Sequence, residues 1–147
     1  GQKVFYGRTP IVAVGTTDMH AQTQQHQDGK RNKVVQFVKV ADWKTDPVIP
    51  DVFPEVAALA QFAGLRMSQA LDIALESNAV ALNSDNRLNA IFSLPRLDAY
   101  HLGELMYMLA LSIAYEGELA DVDAFDQPGV EAYKKVMAPK LAGIKHK

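Results

Sequence analysis

The stretch KVVQFVKV at residues 33–40 is rich in Val and Phe, and such a run predicts a buried strand. Two further strands are predicted outward from it. PIVAVG at residues 10–15 is a short β-branched run that ends in Gly, and LNAIFSL at residues 88–94 is closed by Pro95. Because these apolar strands alternate with helices, we expect an α/β fold with a mostly parallel sheet covered on both sides.

One of the predicted helices is unusually polar. It covers residues 17–28, with Thr17 as its N-cap and Gly29 as its C-terminal stop. Its residues are polar nearly all round, so it has little apolar area to bury. We expect it to be solvated, frayed, or docked against a polar site or a partner.

The other predicted helices have either an apolar stripe or a proline in the first turn. A short helix opens at Pro54 and ends at Gly64, and a final helix has Asp126 as N-cap and Pro128 in its first turn. Two longer helices have stripes that we expect in the core: Met67, Leu71, Ala74, Leu75, Asn78 and Leu82, then Leu102, Leu105, Met106, Leu109 and Ile113.

Composition narrows the class of protein. The chain has 147 residues, 48% hydrophobic, with a net charge of −2, which suits one compact domain and gives no electrostatic ground for nucleic-acid binding. The absence of cysteine excludes disulfides and thiolate chemistry. No apolar run approaches the roughly 20 residues that span a bilayer, and we expect no signal peptide before the domain. Because position 1 is Gly and a strand-like run follows almost at once, we expect a piece of a longer protein.

The segment VGTTDMH at residues 14–20 is the first place suited to chemistry. His20 falls in the first turn of the polar helix, at the carboxyl end of an apolar strand, where parallel α/β sheets bind ligands. The positive end of the helix dipole disfavours the imidazolium form, so a neutral His20 could act as a base. A surface or capping histidine is the alternative that the sequence leaves open.

The segment FDQPGVEAYKK at residues 125–135 is the second place. Gln127, Glu131 and Lys134 are spaced i, i+4 and i+7, so they share one helix face. A Lys held beside a Glu and a Gln could transfer protons or bind an anionic group. An ordinary surface Glu–Lys pair, worth about 0.2–0.5 kcal/mol, fits the same spacing.

Other motifs with known chemistry do not occur in the sequence. His20, His26, His101 and His146 form no HxxxH or HExxH pair, so we expect no zinc site built by the protein. There is no GxxxxGK[ST], GxGxxG or GxSxG motif. In PRLDAY, residues 95–100, Asp98 is a predicted helix cap, and we expect Arg96 to pair locally with it rather than to bind an anion.

Two segments together resemble the glucose-6-phosphate isomerase family. VGTTDMHAQTQQHQDG is similar to the family's histidine segment, in which a Gly-containing strand exit leads to His, then Gln four residues on and Gly nine residues on. Here these are His20, Gln24 and Gly29.

The second segment, FDQPGVEAYKK, resembles the family's C-terminal signature FDQxGVExGK. It departs from that signature at Tyr133, where the family usually has Gly. Residues 95–119 also resemble the bacterial members, so the resemblance covers nearly the whole chain. The signature is matched at Phe125, Asp126, Gln127, Gly129, Val130, Glu131 and Lys134.

The resemblance implies a sugar-isomerase (SIS) fold, a three-layer αβα sandwich, with residues 1–147 as a single C-terminal domain of a longer, cytoplasmic, dimeric enzyme. The implied reaction interconverts glucose 6-phosphate and fructose 6-phosphate, with no metal or redox cofactor. By the match, His20 takes the ring-opening histidine role, Lys134 is its partner in ring opening, and Gln127 contacts the phosphosugar. The family's histidine serves the neighbouring subunit's site, so we expect His20 and Lys134 of one chain not to share a site.

Part of the family's site is absent from this sequence. Isomerisation needs a carboxylate that moves a proton between C1 and C2 through a cis-enediol, and the family's Glu lies further upstream than the 19 residues before His20. The first Glu here is Glu55, and the phosphate-binding Ser/Thr loop of the first SIS domain is missing too. We therefore expect the chain alone to be inactive. The alternative is a non-catalytic SIS module that binds phosphosugars or mediates dimerisation.

Overall fold

A computed structural model describes residues 6–145, so His146 lies outside the described residues. The elements in this part of the chain are α1 (Met19–Asp28), β1 (Val35–Asp42), α2 (Ala57–Ala60), α3 (Met67–Ser84), β2 (Asn89–Arg96), α4 (Ala99–Leu119) and α5 (Pro128–Lys145). They group into two compact units. One comprises residues 9–105, and the other comprises residues 6–8 together with 106–145.

The two strands form a parallel pair in the first unit. The register runs from Val35 opposite Asn89 to Asp42 opposite Arg96, and α3 lies between the strands in the chain. Parallel strands require such a crossover. The predicted α/β class with a parallel sheet is therefore confirmed. Pro95 does not close the strand as predicted, since pairing continues one residue beyond it.

The core of the first unit lies between α3 and the sheet. Val40 and Leu94, which are partners in the register, are buried with Ala79, and Leu82 is fully buried. The predicted α3 stripe is confirmed at Asn78 and Leu82, whereas Met67 at its start is half-exposed. Burial is thus concentrated in the second half of α3, which returns the chain to β2.

The predicted strand at residues 10–15 is not formed. Residues 10–14 are irregular, and the side chains of Ile11 and Val12 are 78% and 88% exposed. The composition marks a segment suited to a sheet, but a strand also needs a neighbour for its backbone hydrogen bonds. Here the backbone of Val14 bonds locally instead: its N–H donates to the Asp18 carboxylate at 2.7 Å, and its carbonyl accepts from the Asp18 N–H at 2.8 Å.

The start of α3 is fixed by a side chain from the preceding connection. Both oxygens of the Asp46 carboxylate accept hydrogen bonds from Ser68, one from its backbone N–H at 2.9 Å and one from its hydroxyl at 2.7 Å. These bonds hold the pKa of Asp46 below its usual value. The short helix predicted over residues 54–64 is observed only over α2, Ala57–Ala60. Gly64 ends the following turn with φ +80°.

The apolar stripe of α4 is exposed, which corrects its interpretation as core. Met106 is 63% exposed, and Leu102, Leu109 and Ile113 are also exposed, whereas Leu105 is half-buried. Periodicity located the helix and its apolar face correctly. It carries no information on whether another segment of the chain covers that face.

Gly117 in α4 is buried against the loop that follows the helix. Its carbonyl accepts hydrogen bonds from the N–H groups of Ala120 and Val122, so the chain turns back tightly. A Cβ added here would lie 2.6 Å from the Ala124 Cβ and 3.0 Å from the Val122 carbonyl oxygen. The position therefore has no room for a side chain.

Gly117→Ala is expected to lower the free energy of unfolding by about 1–3 kcal/mol, because the loop must move to admit the methyl group. Gly103→Ala on the same helix is the matched control, since a Cβ there meets nothing within 4 Å. It should raise stability by about 0.5–1 kcal/mol. Urea unfolding measures both, and a stabilising Gly117→Ala would contradict the tight turn.

Candidate functional site

The helix that carries His20 begins later than predicted. Its N-cap residue is Asp18 rather than Thr17, and the Asp18 carboxylate accepts from the Val14 N–H in the turn before the helix rather than from the N–H groups of α1. His20 is the second residue of α1 and its side chain is exposed. The predicted position in the first turn of a helix is confirmed, although the segment before it is not a strand.

Hydrogen bonds from polar side chains attach α1 to the carboxyl end of α3. The Gln27 amide nitrogen donates to the Ala81 carbonyl at 3.0 Å and also to the Asp85 carboxylate. Just beyond α1, Arg31 Nη1 donates to the carbonyls of Asp85 at 2.8 Å and Asn86 at 3.3 Å. Of the three states expected for this polar helix, docking against a polar surface is the one observed.

Two hydrogen bonds stabilise the second half of α1 and its end. The Gln24 amide nitrogen donates to Asp28 Oδ2 at 2.7 Å, one turn further on. Gly29 follows the helix, and its N–H donates to the Gln25 carbonyl, so the predicted stop is confirmed. Partial burial, and secondly the nearby Lys33 charge, lower the pKa of His26.

The second predicted site lies at the start of α5. Pro128 is the first helical residue, as predicted, but the helix is preceded by Gln127 rather than Asp126 at the capping position. The backbone carbonyl of Gln127 accepts from the N–H groups of Val130 and Glu131. Lys134 Nζ lies 2.7 Å from Glu131 Oε1, with the two side chains 49% and 58% exposed. The structure thus joins Glu131 and Lys134 in a surface ion pair.

The predicted site residues belong to different compact units. His20 lies in the unit of residues 9–105, whereas Gln127 and Lys134 lie in the unit that contains α5. The separation of His20 from Lys134 within one chain stays a prediction, and so do the catalytic and binding roles of all three residues.

Asp98 at the start of α4 forms a pairing that the sequence did not predict. Its Oδ1 atom accepts from the His101 N–H at 2.9 Å, which confirms Asp98 as a helix cap, and lies 2.8 Å from His101 Nδ1. The direct ion pair of this carboxylate is with His101, whereas Arg96 acts on it only through its charge, which is the smallest of the causes that lower the pKa of Asp98. The spacing D-x-x-H at a predicted helix start was the available signal. The backbone N–H of His101 is the main cause that holds the pKa of Asp98 below its usual value.

Asp98→Ala is expected to destabilise the protein at pH 7, since the first turn of α4 loses its cap. A carboxyl whose pKa is lowered by folding stabilises the protein above its ordinary pKa of about 3.9, and this contribution is lost as pH falls through the lower folded-state value. Urea unfolding at pH 7 and at about pH 2 should therefore show a deficit only at pH 7. The exposed Asp51→Ala is the control; an equal deficit of Asp98→Ala at both pH values would contradict the cap.

Metal-binding clusters and membrane-spanning helices are both absent from the described residues. Within residues 6–145, no group of three or more His, Asp or Glu side chains is placed to hold a metal ion. Among the described helices, none combines the length and apolarity needed to cross a membrane.

Comparisons with known proteins add to this geometry. No protein-family model matches the chain. A hypothetical protein from Thermus thermophilus, known from its crystal structure, is similar with a TM-score of 0.80 and 34% identity, over 88% of this chain and 31% of that one. The chain is thus an α/β chain similar to about a third of a larger protein.

Named relatives are glucose-6-phosphate isomerases. The glucose-6-phosphate isomerase of Carboxydothermus hydrogenoformans is 38% identical over 135 residues, which is 92% of this chain and 29% of that enzyme. The glucose-6-phosphate isomerases of Rubrobacter xylanophilus and Campylobacter jejuni are 36% and 34% identical, over 31% and 34% of their lengths. The resemblance to glucose-6-phosphate isomerases is therefore confirmed, for a chain that spans about a third of the curated relatives it matches.

Proposed function

We propose that this chain is the C-terminal SIS-type domain of a cytoplasmic glucose-6-phosphate isomerase, an enzyme of glycolysis and gluconeogenesis. One observation carries the proposal. The histidine segment around His20 and the signature around Lys134 occur in the family's order, inside a match to isomerases that covers 92% of the chain. Residues 1–147 then form one domain of the parent enzyme.

The proposed chemistry assigns ring opening to this chain. Opening a cyclic sugar requires a proton at the ring oxygen and loss of the hydroxyl proton at C1, which a His and a Lys can move together. His20 is exposed in the first turn of α1, and Lys134 is exposed beside Glu131, so both can reach a substrate. Gln127 contacts the phosphosugar at the start of α5, and no metal or redox cofactor takes part.

The rest of the parent chain supplies what this segment lacks. The carboxylate that moves a proton between C1 and C2, and the loop that binds the phosphate, come from the first SIS domain. The exposed apolar face of α4, at Leu102, Met106 and Ile113, supports the proposal, because an apolar helix of this length is normally covered.

The active enzyme is proposed to be a homodimer in which His20 serves the partner subunit's site. No residue of α1 is buried, so the helix has room for contacts with a partner. Its glutamines can donate and accept hydrogen bonds across an interface without burying charge.

A non-catalytic SIS module, which binds phosphosugars or mediates dimerisation, is the second candidate. Tyr133 favours it, because it stands beside Lys134 where the family usually has Gly. The coding sequence upstream of this segment distinguishes the two candidates. The enzyme requires a Glu and a phosphate-binding loop upstream in the same gene, and the module does not.

The 147-residue chain alone is expected to show no isomerase turnover, because losing a general acid–base group costs about 10²–10⁴-fold and the phosphate loop is absent as well. A chimera should be active, in which this chain replaces the matching 135-residue segment of the Carboxydothermus hydrogenoformans enzyme. A coupled assay with fructose 6-phosphate measures both. Turnover by the chain alone, or a folded but inactive chimera, would contradict the proposal.

Lys134→Met in that chimera is expected to lower turnover of the cyclic substrate more than turnover of an open-chain analogue that cannot cyclise. Only the cyclic substrate needs ring opening, where Lys134 acts. Lys135→Met is the control, since it removes a neighbouring charge outside the matched signature. Equal losses on both substrates would assign Lys134 to binding or stability instead.

A further inference from the structure

We propose that Gln27 is a positioning residue for His20, acting through its hydrogen bonds to the end of α3. The inference rests on the proposed function, because it concerns the ring-opening step assigned to His20. The matches that define the family concern His20, Gln24 and Gly29, and Gln27 is outside them. Its role is inferred from the contacts that hold α1 in place.

Hydrogen bonds replace apolar packing as the means of holding α1. None of its residues is buried, so apolar burial cannot fix its rotation or its position along its axis. Its side-chain bonds to another element come from Gln27, supplemented by Arg31 just after the helix, in the described part of the chain. The orientation of α1 therefore depends on these groups.

The spacing of the helix links Gln27 to His20. The two residues are seven apart, about two turns, so they lie on the same face of α1 at a separation of about 10 Å along the axis. A rotation of the helix that moves Gln27 away from α3 turns His20 through the same angle. A displacement of about 1 Å at a catalytic group can cost about 100-fold in rate.

The groups that face Gln27 require a hydrogen-bond donor. A primary amide has two N–H donors, and here they meet the Ala81 carbonyl and the Asp85 carboxylate. The amide oxygen of Gln27 is buried and has no partner among the described residues. Lys at this position keeps a donor for Asp85, whereas Glu and Leu do not.

Hydrogen exchange on the 147-residue chain tests the first half of the inference. Gln27→Leu should speed exchange of the α1 amides about tenfold and leave the α3 amides unchanged, as expected from the loss of two hydrogen bonds. Gln27→Lys should restore most of the protection. Gln36→Leu is the control: it makes the same substitution at an exposed β1 position and should leave the hydrogen exchange of the α1 amides unchanged. Protection of α1 in Gln27→Leu equal to that in Gln36→Leu would overturn the inference.

Turnover by the chimera tests the second half. Gln27→Leu should lower kcat for the cyclic substrate by about 10- to 100-fold, with little change for the open-chain analogue, and Gln27→Lys should recover much of it. A purely structural role would lower the activities on the cyclic substrate and on the open-chain analogue alike. That result overturns this inference and leaves the proposed function standing. If instead His20→Ala leaves the ratio of the two activities unchanged, or the intact chimera is inactive, the proposed function fails and the inference falls with it.

Discussion

The parallel pairing of β1 with β2 is the constraint on which the described fold depends. Two parallel strands cannot be joined by a hairpin, so the chain must cross back over the sheet, and α3 makes that crossing. Leu82 of the crossing helix is fully buried, and the register partners Val40 and Leu94 in the sheet are buried as well. The crossing also fixes where α3 ends, and the carbonyls and carboxylate at that end are the groups that hold α1. The position of His20 thus depends on the strand pairing, because the pairing requires the crossing by α3 and the end of α3 holds α1.

Local chemistry was sufficient to predict most elements of this fold. β-branched and aromatic composition located β1 and β2 to within two residues. An Asp just before a predicted helix identified Asp98 as a cap, and its hydrogen bond to the His101 N–H confirms it. Failures occurred where a contact is distant in sequence. The run at residues 10–15 has the composition of a strand but pairs with no strand in the part of the chain that the structure describes, and the bond from Gln27 to Asp85 joins residues 58 apart. Neither fact is present in a local pattern, since both depend on what the rest of the chain places nearby.

In the candidate site, too, local spacing was predictable and distant contacts were not. Spacing predicted that Glu131 and Lys134 share a face, and the ion pair forms, yet spacing alone suits a surface pair equally well. The resemblance at His20, Gln127 and Lys134 gave these residues a proposed chemical role, and the comparisons confirm that the chain is similar to glucose-6-phosphate isomerases. Where these residues lie relative to one another depends on contacts between distant parts of the chain, which a local pattern does not contain.

Mixed dimers of the chimera test most directly the central claim that His20 of one subunit acts with Lys134 of its partner. His20→Ala and Lys134→Met homodimers should each be nearly inactive, because every site lacks one group. In a heterodimer of the two variants, one site lacks both groups and the other is intact. An equal mixture with random exchange of subunits should therefore recover about a quarter of the wild-type activity, since half of the dimers are mixed and each holds one intact site of two. No recovery, in dimers shown to have exchanged subunits, would place both residues in the site of a single chain and contradict the account.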